Sequence, residues 1–418
     1  MRQKVVNHRL MVGGIPCEDL ARGFGTPLFV TDEQVIRENY RRIHEAFNRW
    51  IPTKVYYACK ANSNLAILRI LEQEGSSIDA VSTGEVFLCM RAGYPPERIM
   101  FTGTGVHPDE FQWLIERGVG LNIDSISDIY KVSRAYQGDI SLRVNPEIGA
   151  GHHEHVITGV KNSKFGIPQK DIVDAAKLAK SRGLRVTGVH MHIGSGILTM
   201  EPILLAVKAL IEVAITLEEK GGAELEWIDI GGGFGIPYRS HEDPLDIERV
   251  AEGVCKLVRE QLPGKTLRIE PGRFIIGDST VLLTRVNTIK LTEEKNYVYV
   301  DAGFNLLIRP ILYGSYHHIV VADNVDGEPE CRYDIVGPIC ESGDILGRER
   351  ELPGIKEGDI LAILDAGAYG FSMSSRYNSR PLCGEVLING KDVYVIRERE
   401  SYDDLLKGQR IPPHLEQG

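Results

Sequence analysis

Between about residues 50 and 275 a short apolar run, a turn and an amphipathic stretch follow one another repeatedly, and no other feature of the chain restricts its fold so strongly. The runs are KVYYAC (54–59), SIDAV (77–81), RIMFTG (98–103), GLNID (120–124), ISLRVN (140–145), VTGVHMHI (186–193), EWIDIG (226–231) and LRIEP (267–271). Each is short, and several are rich in β-branched residues, as strands of a parallel sheet are. Between them lie helical stretches such as NLAILRILEQEG and PILLAVKALIEVAITLEEKGG. In the second, apolar residues recur three and four apart, and the paired glycines Gly221 and Gly222 end the run. Eight strands alternating with helices is the count of an α/β protein of the (β/α)8 TIM-barrel type. A doubly wound open sheet is the rival arrangement.

After about residue 275 the rhythm changes. STVLLTRVNTIKLT, NYVYVDAG, HHIVVADN, DIVGPIC, DILAILDAG and EVLINGKDVYVIRERE alternate strands with tight turns and carry no comparable helix repeat. That is the pattern of an all-β domain of the sandwich or Greek-key kind. The first ~30 residues carry the same strand and turn signals. The expected division is therefore a barrel over 30–275 and a β domain made of 1–29 plus 276–418. The polar tail after Tyr402 is expected to fray.

Length and charge narrow the function classes. A chain of 418 residues exceeds one ordinary core, consistent with two domains. The formal net charge of −10 is spread along the chain, which argues against nucleic acid or an anionic membrane as partner, since both select a basic face. No apolar run is long and charge-free enough to span a bilayer, and the N-terminus lacks the pattern of a signal peptide. Seven scattered cysteines with no CxxC pair argue against a disulfide framework or a zinc site and for a reducing cytoplasm.

In a barrel of this kind, chemistry gathers where strands end. Lys60 follows the first run, and alternation from Tyr56 through Ala58 places it on their face of the strand. A lysine there can form a Schiff base; the plain alternative is a snorkelling surface lysine. His190 and His192 alternate in VHMHIGSG, which suggests a two-histidine metal pair that no carboxylate at local spacing completes, an aromatic ring laid against a flat cofactor, or hydrogen-bonded core residues. Gly231, Gly232 and Gly233 begin a GGGFG turn that suits an anion-binding hollow or simply a tight turn; Ile236 excludes the dinucleotide fingerprint. Glu270, Gly272 and Arg273 close the eighth run as EPGR, a carboxylate able to bond a protonated ring nitrogen beside a guanidinium suited to phosphate. In the β region, Arg309 and Tyr313 lie in IRPILYG, Cys340 and Glu341 in CESGD, and Tyr369 in DAGAYGFSM. Arg309 reads equally as a surface charge, Cys340 as an inert buried thiol, and Glu341 with Asp344 as a turn. GHHEH at 151–155 has a metal-like look, but adjacent imidazoles in a polar loop are ordinarily solvated. No metal is expected.

Six ordered segments, YACKAN, HIGS, GGGFG, EPGR, IRPILYG and CESGD with GAYGFSMSSRYNSRP, together resemble the fold-type III pyridoxal-phosphate decarboxylases, and within them the diaminopimelate decarboxylases. The resemblance runs from about residue 25 to 400. It implies a homodimer with active sites at the subunit interface and pyridoxal 5'-phosphate as cofactor. By that pattern Lys60 carries the cofactor, His192 stacks on its ring and Glu270 pairs with its ring nitrogen. Ser195, Gly231–Gly233, Gly272, Arg273 and Tyr369 surround the phosphate. Arg273, Arg309, Tyr313, Glu341 and Tyr369 match substrate contacts, and Cys340 matches the proton donor, supplied with Glu341 by the partner subunit. The implied reaction is decarboxylation of meso-2,6-diaminopimelate to L-lysine. A decarboxylase of ornithine, lysine, arginine or a D-amino acid, a racemase, and a non-catalytic carrier of the cofactor are the competing readings; the β domain and CESGD weigh against the carrier.

Overall fold

A computed structural model describes residues 3–148 and 163–416. The chain forms two compact units, Glu33–Ser279 and a second made of Met1–Asp32 with Thr280–Gly418.

In the first unit eight parallel strands close on themselves. Thr53–Ala58, Ser77–Ala80, Ile99–Phe101, Gly120–Ile123, Asp139–Asn145, Arg185–His190, Trp227–Asp229 and Thr266–Ile269 pair in that order, and the last pairs with the first. Each of the eight apolar runs holds one of these strands, and the closed barrel removes the open-sheet alternative. The fifth strand shows why such a sequence folds this way. Ile140, Leu142 and Val144 are buried, and so are Ser141, Arg143 and Asn145. A period of two sends these sets to opposite faces. The polar set meets polar groups of neighbouring segments: Ser141 Oγ donates to Asn122 Oδ1 at 2.8 Å, and Arg143 Nη1 lies 3.5 Å from Asp124 Oδ1. Helices after the strands start on side-chain caps, with Asn64, Ser82 and Ser125 accepting the backbone N–H of Ala66, Glu85 and Asp128. The long helix Glu201–Thr216 continues into one wider turn, Leu217–Gly221, and stops at Gly222 with φ 69°.

The second unit is built on a nine-stranded sheet. Its main path runs Ile345–Leu352, Cys331–Val336, Asn296–Val300, Thr280–Leu291, Leu28–Asp32, Gly384–Asn389 and Asp392–Arg397. Ile360–Ile363 branches from Thr280–Leu291 and pairs with Ile319–Val321. Alternation in the central strands separates two apolar cores. Phe29, Leu282, Leu361 and Ile363 enter one, while Leu28, Val30, Val281, Leu283 and Ala362 enter the other. The opening residues depart from the strand-and-turn expectation at one place. After a small three-stranded sheet (Lys4–Val6, Arg9–Val12, Ile15–Pro16), Cys17–Phe24 is a helix that buries Cys17, Leu20 and Ala21. Two helical turns hold too few apolar positions for the period to declare itself. Beyond Tyr402 the chain forms two short 3-10 turns, Asp403–Leu406 and Pro413–Leu415. Among the described residues, no helix is long and apolar enough to cross a membrane.

Candidate active site

Several of the candidate residues lie at the carboxyl ends of the barrel strands. Lys60 does not continue the first strand, as alternation from Tyr56 had suggested. The strand ends at Ala58, and Cys59–Ala61 is a single 3-10 turn, anchored where Tyr57 Oη donates to the Asn62 carbonyl at 2.9 Å. Lys60 is only a third exposed, and its Nζ lies 2.7 Å from Oδ2 of the fully buried Asp79 on the second strand. Burial alone raises a carboxyl pKa, but the Lys60 ammonium holds Asp79 below the usual range. Lys60 is thus a buried-pair lysine rather than a snorkelling one.

His190 and His192 part company. His190 ends the sixth strand and is buried, with Nε2 at 3.1 Å from Glu270 Oε2. His192 lies beyond the strand, half-buried, and its Nδ1 accepts the Gly232 N–H at 3.2 Å. The pair is not a two-histidine metal site. The fold instead groups His190 with Asp229 and Glu270, one ligand atom of each lying within 4.8 Å of the others. These carboxylates come from the seventh and eighth strands, which is why local spacing did not reveal them. Burial, then the neighbouring Glu270, lifts Asp229 to about 7; burial, then Asp79, lifts Glu270 to about 8. Burial lowers His190 to about 4. Burial and then the Lys60 charge hold His192 well below its ordinary value. Two acids that keep protons near neutrality form a site ready to become anionic when a cation arrives.

Anion-binding groups stand beside this cluster. Arg273 opens the one-turn helix Arg273–Ile276, so EPGR is a strand-to-helix corner rather than a loop. Its Nη1 donates to Tyr238 Oη at 2.7 Å and its Nη2 to Ser195 Oγ at 3.2 Å. The GGGFG turn is pressed against VHMHIGSG: Ile197 N–H donates to the Gly233 carbonyl and Gly235 N–H to the Ile197 carbonyl, both at 2.9 Å. A Cβ on Gly232 would strike the Glu270 carbonyl, and one on Gly233, where φ is 96°, would lie 2.6 Å from the Gly194 carbonyl. The glycines are therefore required by chain-to-chain approach within the barrel, independently of any ligand. Gly272 is less confined, with the Ala61 and Ala58 methyls at 3.1 and 3.2 Å from where its Cβ would stand.

The remaining candidates lie in the β unit. Arg309 is not a surface charge at a strand end; it opens the short helix Arg309–Tyr313, is 1% exposed, and its Nη1 donates to His317 Nε2 at 2.8 Å. The tautomer follows, because His317 Nδ1 donates to the Leu364 carbonyl at 2.9 Å. Tyr313 is half-buried at the end of that helix. Cys340 is an exposed thiol, not a buried one, and its N–H donates to Asn378 Oδ1 at 2.9 Å. Glu341 accepts from Tyr377 Oη at 2.7 Å, while Asp344 caps the turn through the N–H groups of Phe304 and Ile339, both at 2.7 Å. Tyr369 has φ 58°. GHHEH lies outside the described residues.

Asp79, Asp229, Arg143 and Tyr238 were not singled out from the sequence. A charged residue alone inside an apolar strand run, as in SIDAV, WIDIG and ISLRVN, is the signal that points to the first three. Tyr238 has no such mark.

The sequence profile described as "Pyridoxal-dependent decarboxylase, pyridoxal binding domain" matches residues 33–277. A diaminopimelate decarboxylase of Methanothermobacter thermautotrophicus is 51% identical over 97% of this chain and 96% of its own length. One of Archaeoglobus fulgidus is 40% identical over 97% of this chain and 98% of its own. Among solved structures, diaminopimelate decarboxylase from M. jannaschii in complex with L-lysine is 36% identical, covers 99% of this chain and 98% of that one, and superposes with a TM-score of 0.93.

Proposed function

This chain belongs to the pyridoxal-dependent decarboxylases, and from that premise we propose that it converts meso-2,6-diaminopimelate to L-lysine and CO2 with pyridoxal 5'-phosphate. The observation that carries this reading is the meeting of Lys60, Glu270 and Arg273 at one end of the barrel, an amine, a buried acid and an anion-binding fork.

The residues present fit the cofactor. Ser195, Arg273 and Tyr238 supply a hydroxyl, a guanidinium and a phenol suited to a phosphate dianion, and the Gly231–Gly233 turn brings backbone beside them without side chains. Gly272 and Tyr369 complete that set by the family pattern. Lys60 would hold the aldehyde end, and Glu270 would face the ring nitrogen. When bound, the cofactor supplies a protonated pyridine ring that accepts the electron pair left by departing CO2. Asp79 accepts a hydrogen bond from Lys60 Nζ at 2.7 Å and so fixes where the amine stands. His192 supplies a flat neutral ring at the site. Glu270, whose pKa burial raises, would give up its proton beside a protonated ring nitrogen and oppose that charge. Cys340 supplies the proton to the carbon that loses CO2, and its exposure suits contribution to a neighbouring subunit in a homodimer.

Substrate choice is assigned to Arg309, Tyr313 and Glu341. Diaminopimelate presents a carboxylate and an ammonium at its far end, and an arginine with a glutamate answers both. Purified protein supplied with pyridoxal phosphate should release CO2 from meso-diaminopimelate and be inert to ornithine, arginine and lysine. Turnover of one of those instead of diaminopimelate would overturn the substrate. Borohydride reduction and peptide mapping should place the cofactor on Lys60; a label elsewhere removes that residue from the mechanism.

A further inference from the structure

The Glu270 side chain has a single hydrogen-bond partner among the described residues, the His190 ring, and that ring has only Glu270. Both are buried, at 2% and 5% exposure. His190 Nδ1 finds no partner among the described residues, so the imidazole meets the polar interior through Nε2 alone. The remaining influences on Glu270 are charges acting without a bond, from Asp79, Lys60, Arg143 and Arg268. Such forces set its proton occupancy but do not fix a direction, whereas a hydrogen bond does. Asp229, the third member of the group, is engaged elsewhere, accepting the Gly231 N–H at 2.9 Å.

We propose that His190 is the positioning residue for Glu270, aiming its carboxyl at the cofactor's ring nitrogen by a hydrogen bond through Nε2. The inference rests on the reading that Glu270 faces that nitrogen. The backbone supports it: His190 ends its strand paired with Asp229, and the Glu270 N–H donates to the Gly231 carbonyl at 2.9 Å, so both side chains leave fixed main chain. A carboxyl held at both its root and its tip stays aimed while the charge it opposes appears and disappears.

Glutamine and asparagine separate the idea from a packing role, because both are polar and smaller than histidine but reach different points. His190→Gln carries an amide nitrogen to the place of Nε2, and His190→Asn only to that of Nδ1. Dialysed protein titrated with pyridoxal phosphate should show His190→Asn weakened about tenfold or more in cofactor affinity, with His190→Gln within about threefold of the parent, as expected for a hydrogen bond to an ionised group. The absorption maximum of the bound cofactor should shift in the asparagine variant and not in the glutamine variant. For diaminopimelate, kcat should fall in the asparagine variant while KM holds. Equal behaviour of the two variants, whether both intact or both impaired, overturns the proposal. Glu270→Gln distinguishes the premise: if it leaves affinity and spectrum unchanged, Glu270 does not face the ring, whereas an impaired Glu270→Gln with an intact His190→Asn removes only the role of His190.

Discussion

Asp229 and Glu270 hold protons that an unfolded chain would already have lost. Their folded pKa values, about 7 and about 8, lie above the ordinary carboxyl range, so each contributes stability at acid pH that disappears as pH rises through its folded value. His190 works in the opposite sense: its folded value of about 4 means that stability is lost as pH falls from its ordinary value towards 4. Well above pH ~6.5 His190 is neutral in both states, and of these three groups only the two acids contribute. Cofactor-free protein should therefore lose stability between pH 6.5 and 8, by about 1 kcal/mol per pH unit for each proton released. Denaturant melts across that range check this, and Glu270→Gln should flatten the slope; an unchanged slope would place those protons elsewhere. In the β unit, Arg309→Ala removes a buried guanidinium and its hydrogen bond to His317 Nε2. KM for diaminopimelate should rise about 10- to 100-fold, as for the loss of a charged hydrogen bond. An unaltered KM would put Arg309 outside the substrate site.

The elements that matter most to the site are its turns. Gly232 lies where a methyl group would enter the Glu270 carbonyl, and that carbonyl belongs to the corner carrying Arg273. Gly232→Ala should destabilise the protein by about 1–3 kcal/mol through overpacking and should loosen phosphate retention as well. Thermal melts with and without cofactor would separate the two effects, and an unperturbed melt would contradict the tight approach. These turns also mark how far the sequence could be read. The eight barrel strands were legible because each is a short apolar run with punctuation on both sides. The placement of Lys60, Glu270 and Arg273 just past strand ends was legible because they follow such runs. Asp79 and Asp229 were not, since one carboxylate in an apolar run gains meaning only when the closed barrel decides which strands face one another. The helix Cys17–Phe24 escaped because two turns are too few to show a period, and the burial of Arg309 because its partner His317 lies past the reversal at Gly314.

At the scale of the whole molecule, the homodimer expected from the family pattern has a direct test. Cys340 and Glu341 are exposed in one chain, as residues offered to a second subunit need to be. Lys60→Ala and Cys340→Ala proteins, each inactive alone, should regain up to about a quarter of parental activity when mixed and allowed to exchange subunits, because half of the mixed dimers' sites are intact. No recovery after confirmed exchange would place Cys340 and Lys60 in the same chain's site.

The strand Leu28–Asp32 precedes the barrel in the chain, yet both its neighbours follow the barrel: Thr280–Leu283 on one side and Gly384–Ile388 on the other. An emerging polypeptide must therefore carry this apolar segment unpaired while the barrel is made, and the sheet can only be sealed by strands that follow the barrel. Truncated products would retain a sticky leading edge with nothing to cover it. For this protein, the vulnerable interval for aggregation is the time of translation itself.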